Sequence, residues 1–198
     1  AADPPRWPER TEDLSTLEIA LDIAPATFLG QMREAVSGTR RVTLELLDYP
    51  GEWLLDLPML SQSYAEWSRE TLARLRKGRR AEAARDFLAF VDALPEQAPA
   101  EEAIARHGYA LYRDALRALR DAHGFRFLQP GRALNPGPRG EAPILWFFPL
   151  PHPDASGLAD QLARRHEAYL ADQRAAFFDP FFRRFHRQAV LVDALGAL

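Results

Sequence analysis

No cysteine occurs among the 198 residues. That excludes disulfides, thiolate zinc sites and a catalytic thiol, and it fits a reducing compartment such as the cytoplasm. Lysine is almost as scarce: of 25 basic residues only Lys77 is lysine, which reads as coding bias and bears on the motifs below. No apolar run approaches the roughly 20 residues that a membrane span needs, and the opening "AADPPRWPERTEDLS" lacks the charged-then-apolar order of a signal peptide. A soluble protein is expected. A net charge of -3 gives no global field that would draw nucleic acid, so none is expected as a partner. The chain opens on Ala rather than Met and its last residues, "VLVDALGAL", come just after a strand-like run. Both lead us to expect a segment of something longer.

The length is enough for one well-buried domain, or one with a sizeable insertion. "LEIALDI", residues 17–23, alternates apolar and polar with period two and predicts a half-buried strand closed by Pro25. Residues 26–36 predict a short helix, and "RRVTLELLD", residues 40–48, a second strand. Helices are expected over 61–76, where a serine start and a cationic end bracket Trp67, Leu72 and Leu75, over 81–94, and over 100–124, with Ile104, Leu111, Leu116 and Leu119 on one stripe. "ILWFFPLP", residues 144–151, reads as a buried strand, 156–178 as a long amphipathic helix, and 187–195 as a closing strand. Four strands with helices between and beside them predict an α/β fold, with residues 60–124 as a helical insertion.

Asp48 falls where the second strand gives out, and open α/β sheets bind ligands beyond the carboxyl ends of their strands. Gly51 follows three residues later. Asp-x-x-Gly suits a nucleoside triphosphate site, where the carboxylate orients a magnesium-bound water and the glycine amide meets the terminal phosphate. Asp-Tyr-Pro-Gly is equally a good generic turn.

The longer strings "WPERTEDLSTLEIAL", "DYPGEWLLDLPML", "EWSRE", "LQPGRAL", "FFPLP" and "FHRQAVLVDAL", in that order, resemble the YcjX-like family of P-loop NTPases, bacterial stress-associated proteins. The resemblance spans nearly the whole chain. It implies a GTPase-like P-loop sheet binding GTP, or ATP, with Mg2+ at the strand ends. Asp48 and Gly51 match the motif that opens the second switch, with "EWLLDLP" as the mobile segment behind it. Thr11 matches the magnesium-binding threonine of the first switch, with Ser15 and Thr16 equally placed. The chain departs from the pattern by lacking both the phosphate loop Gly-x-x-x-x-Gly-Lys-Ser/Thr and the base-selecting Lys-x-Asp motif, because Lys77 in "RLRKGRR" has neither context. In the family these would lie before residue 1 and after residue 198, so the expected fold is a P-loop NTPase domain incomplete at both ends. Such a segment alone is expected to be inactive and to expose sheet edges that favour aggregation.

Several other readings compete. "RLRKGRR", residues 74–80, is a solvated helix end before it is a nucleic-acid or lipid contact. The histidines, His107, His123, His152, His166 and His186, show no metal-binding spacing. Asp193 ends the closing strand and could approach Asp48, though a turn-starting role is simpler. Arg132 could meet phosphate, and the clusters Trp146-Phe147-Phe148, Phe177-Phe178 and Phe181-Phe182 read as core or docking surface. A paired-carboxylate hydrolase using Asp48 with Glu52 or Asp56 is an enzymatic rival. The stronger rival is a nucleotide-free, degenerate NTPase domain whose helical insertion binds a protein partner.

Overall fold

A computed structural model describes residues 14–23, 40–137, 140–181, 183 and 186–187. The described residues are α/β in content, mostly helical with a small two-stranded sheet. Internal contacts divide the chain into two compact units, Ala1–Asp56 with Gln129–Gly140, and Leu57–Leu128 with Glu141–Leu198. The expected helix over 26–36, Thr11, Asp193 and the closing strand from residue 188 onward lie outside the described residues.

In the first unit, β1 (Ser15–Ile23) pairs antiparallel with β2 (Arg40–Asp48), from Ser15 opposite Asp48 to Ile23 opposite Arg40. This register carries the period-two patterns into two faces. Leu17, Leu21, Val42, Leu44 and Leu46 share the apolar face, where Leu17 is 57% exposed. On the other face Arg41 pairs with Asp22 at 2.8 Å, while Glu18 stands directly opposite Glu45, a like-charge pair that weakens the ladder slightly. A 3₁₀ helix, Gly51–Ser61, follows β2. Far along the chain, Gly131–Leu134 forms a single buried helical turn in the same unit.

The second unit is helical: α1 (Tyr64–Leu75), α2 (Arg79–Ala83), α3 (Arg85–Ala93), α4 (Glu102–Asp121) and α5 (Leu158–Gln173), which widens into a π-helical turn at Arg174–Phe178. The serine start of α1 is Ser63. Its hydroxyl accepts from the Glu66 N–H at 3.3 Å and the Glu66 carboxylate accepts from the Ser63 N–H at 2.8 Å, a reciprocal cap that holds the Glu66 carboxyl below its ordinary range. The single helix expected over 81–94 is interrupted at the fully buried Ala84. In α4 the buried stripe is Ala105, Gly108, Tyr109, Tyr112, Ala115, Leu116 and Leu119, so the tyrosines replace Ile104 and Leu111 on the inner face. Tyrosine brings more area to bury than either aliphatic side chain, and it wins that face.

The expected strand over 144–151 is not formed. Pro143–Leu145 is a 3₁₀ turn and the chain beyond it is irregular, yet Phe147 and Phe148 are completely buried. Side chains take over the hydrogen bonding that a ladder would supply. Tyr64 Oη donates to the Phe148 carbonyl at 2.8 Å, Ser68 Oγ donates to the Leu150 carbonyl at 3.0 Å and accepts from the Leu150 N–H at 2.6 Å, and Arg165 donates to the Trp146 carbonyl at 3.2 Å. An apolar run of this length predicts burial, and burial alone does not make a strand.

Trp67 centres the core, with ring centroids of Tyr112, Phe147 and His166 at 6.2, 5.4 and 5.5 Å. His166 is 1% exposed, also faces Tyr64 and Phe147, and neither ring nitrogen has a hydrogen-bond partner among the described residues. Desolvation pushes its imidazole down to about 4. The folded protein therefore keeps His166 neutral while the unfolded chain takes up a proton below about pH 6.5. Stability from this group is full above that pH and falls as pH drops toward 4, by up to about 3 kcal/mol. Urea midpoints at pH 7.5 and 4.5 should show this loss in the wild type and a much smaller one in His166→Leu; equal slopes would refute the assignment.

Gly108 sits mid-helix because a Cβ there would lie 2.3 Å from the Phe148 ring and 2.8 Å from that of Phe90. Gly108→Ala should gain about 1 kcal/mol of helix propensity and lose more, about 1–3 kcal/mol, to overpacking. A lowered urea midpoint is the expected result, and a raised one would contradict the packing.

Candidate functional site

β2 delivers Asp48 to the end of the sheet, where its side chain is exposed and its Cα pairs with that of Ser15. Pro50 is buried and turns the chain, and its carbonyl accepts from the Trp53 N–H at 3.1 Å to close the first 3₁₀ turn. Gly51 opens that helix in an exposed position. A Cβ at Gly51 would meet nothing within 4 Å, and its φ is not in the left-handed range, so neither packing nor backbone geometry among the described residues requires glycine.

The residues behind Gly51 are held tightly. Trp53, Asp56 and Met59 are buried, three residues apart, which is the pitch of a 3₁₀ helix rather than of an α-helix or a strand. Trp53 Nε1 donates to the Asn135 carbonyl at 3.2 Å, and the Arg132 guanidinium lies 3.9 Å over the Trp53 ring, with Arg132 only 8% exposed. Gln129 Nε2 donates to the Leu55 carbonyl at 2.5 Å, and the Gly131 N–H donates to Asp56 Oδ1 at 2.8 Å. A Cβ on Gly131 would lie 1.9 Å from the Glu52 carbonyl oxygen. Since that neighbour is backbone and cannot swing aside, Gly131 is glycine for want of space.

The structure thus brings Asp48 and Gly51 to the two ends of one turn, with Ser15 across the ladder from Asp48 and Thr16 next to it. Asp56 is a buried acceptor for a backbone amide rather than an open carboxylate, which removes it from any paired-carboxylate site. Arg132 spends its guanidinium face on Trp53. The 74–80 cluster is partly internally satisfied: Arg76 pairs with Asp92 at 2.5 Å, Arg74 with Glu70 at 3.9 Å, and Arg80 lies 4.0 Å over the Phe125 ring. Trp53, Gln129, Gly131 and Asn135 were not singled out by sequence reasoning. Gln129 and Gly131 lie in the string "LQPGRAL", which Asn135 follows, and Trp53 lies in "DYPGEWLLDLPML"; both strings carry the resemblance but no periodicity that would mark these residues.

The chain belongs to the YcjX-like family, DUF463, whose model matches residues 1–198. It is similar to the Ras-like GTPase YcjX of Escherichia coli (strain K12), with 36% identity over 208 aligned positions covering 99% of this chain and 43% of that protein. It is likewise similar to the Ras-like GTPase YcjX of Shewanella oneidensis, with 34% identity covering 100% of this chain and 42% of that protein. The chain spans about two-fifths of the length of the curated relatives it matches.

Asp56→Ala should leave the buried Gly131 N–H without its acceptor and cost about 1–3 kcal/mol, whereas Asp56→Asn, which keeps an oxygen acceptor, should cost less. Denaturation midpoints of the two variants check the order; an alanine variant as stable as the wild type would show that the amide is satisfied another way.

Proposed function

We propose that this chain is the central part of a switch-type P-loop NTPase that binds GTP, or ATP, with Asp48 and Gly51 as its magnesium-side and terminal-phosphate-side corner. One observation carries this: an exposed Asp and an exposed Gly frame the turn where β2 ends, and among the described residues none would meet a Cβ at Gly51. A glycine with open space around it leaves its amide accessible to the close approach of a ligand. The name Ras-like GTPase carried by both relatives supports the same reading.

The donor set fits a magnesium ion bound together with nucleotide. Such sites take one or two carboxylates and fill the remaining positions with phosphate oxygens and water, and among the described residues no cluster of three His, Asp or Glu forms a cage independent of substrate. Asp48 would hold it through water and Thr11, or Ser15 in its place, through a hydroxyl, since Thr16 pairs with Leu47 on the opposite face of the ladder. When bound, the ion neutralises charge on the phosphate oxygens during transfer. With nucleotide bound, the Asp48 carboxylate would orient a water and the Gly51 N–H would donate toward the terminal phosphate. Residues 60–124 form an insertion in this domain that offers a surface to a protein partner. The phosphate loop and base-selecting motif would be supplied by parts of the family's longer chains outside this sequence.

Asp48→Asn in the full-length protein should weaken magnesium-dependent triphosphate binding by about tenfold or more. Isothermal titration with and without Mg2+ measures this. Magnesium-dependent binding and turnover equal to wild type would refute the role of Asp48, and a full-length protein that binds no nucleotide would favour the degenerate, partner-binding domain.

A further inference from the structure

Five contacts join the Gln129–Asn135 segment to the chain between Glu52 and Asp56, immediately beyond the exposed Gly51. Gly131 abuts the Glu52 carbonyl, Arg132 lies over one face of the Trp53 ring and the Asn135 carbonyl meets its N–H edge, Gln129 caps the Leu55 carbonyl, and the Gly131 amide holds Asp56. The clamped stretch is an eleven-residue 3₁₀ helix. Runs of this helix beyond three or four residues are uncommon because its hydrogen bonds are poorer than those of an α-helix, and they recur at functional hinges. An element so held is maintained by its neighbours rather than by its own backbone.

From these contacts we infer that Gln129–Asn135 is a cradle for the segment following Gly51, and that Gln129, Gly131 and Arg132 are positioning residues that set the relative affinity for nucleoside diphosphate and triphosphate without touching either. The inference rests on the nucleotide reading of Asp48 and Gly51. Only the φ and ψ rotations of Gly51 and Glu52 separate the Gly51 amide from Trp53, so a displacement of that amide toward or away from a terminal phosphate larger than those rotations absorb is carried into the residues that the cradle grips. A contact present in one position of that segment and lost in the other contributes to the difference between the two nucleotide states, and only a differential contact can shift such an equilibrium. Arg132 is the natural probe. Its removal takes away the stack on Trp53 while leaving the Gly131 amide and the Gln129 cap in place.

The test is made on the full-length protein with Mg2+, titrating GDP and a non-hydrolysable GTP analogue into the wild type, Arg132→Ala and Trp53→Phe. Gly131→Ala is set aside as the primary variant, since its clash with backbone endangers folding. The ratio of the two dissociation constants should change by about fivefold or more in Arg132→Ala, and in the same direction by less in Trp53→Phe. The direction identifies which nucleotide leaves the segment in the cradle. Both affinities falling together, or neither changing, with the ratio constant would reduce the cradle to a structural contact and overturn the inference. A wild type that binds neither nucleotide would show instead that the underlying nucleotide reading has failed, and the inference would fall with it.

Discussion

A single backbone amide organises the first unit. The Gly131 N–H reaches the Asp56 carboxylate at 2.8 Å, and it can do so only because residue 131 has no side chain to strike the Glu52 carbonyl. Two segments separated by 75 positions are thereby pinned together. The other contacts follow from that approach: Arg132 comes over the Trp53 ring, the Trp53 indole meets the Asn135 carbonyl, and Gln129 reaches Leu55. A buried carboxylate is tolerable only when its oxygens are engaged, so the polar residue and the glycine depend on each other.

The second unit solves a related problem with other groups. Its fully buried pair Phe147–Phe148 is not in regular structure, and a buried irregular backbone must find its hydrogen-bond partners outside a ladder. α1 supplies two of them, Tyr64 and Ser68, spaced one turn apart on the face that also carries Trp67. Around this run the rings of Trp67, Tyr112, Phe147 and His166 pack at centroid separations of about 5–6 Å, the range in which edge and tilted contacts are favourable. The outer ring of the same cluster, Trp146, stays half-buried with the guanidinium groups of Arg106 and Arg165 each 5.7 Å from its centroid.

The period-two patterns of 17–23 and 40–48 marked both described strands, because alternating side chains fall on opposite faces of a strand, but the half-burial expected of them is not seen: the apolar face is exposed, with Leu17 at 57%. The helices over 64–75 and 102–121 were legible for the corresponding reason at the helical period, with Ser63 marking the start of the first. The 3₁₀ helix was not. Its buried positions recur every three residues at Trp53, Asp56 and Met59, a spacing that matches neither template, and one of the three is a carboxylate that polarity would assign to the surface. "ILWFFPLP" misled in the opposite sense, since its apolar content reports depth in the core and says nothing of who satisfies its carbonyls.

Within the candidate site, Asp48 and Gly51 were visible as a motif at a strand end, while the residues gripping the chain behind them were visible only as a rare string without an assigned task. Local sequence determined the two strands, the capped helices, the turn at Pro50-Gly51 and the family, all of which depend on neighbours a few positions away or on strings that can be matched directly. Tertiary structure alone decided that Asp56 is interior, that Gly131 must be glycine, that Arg132 lies on Trp53 and that His166 is neutral in an aromatic core. Those outcomes turn on distances between residues tens of positions apart, which no local period encodes.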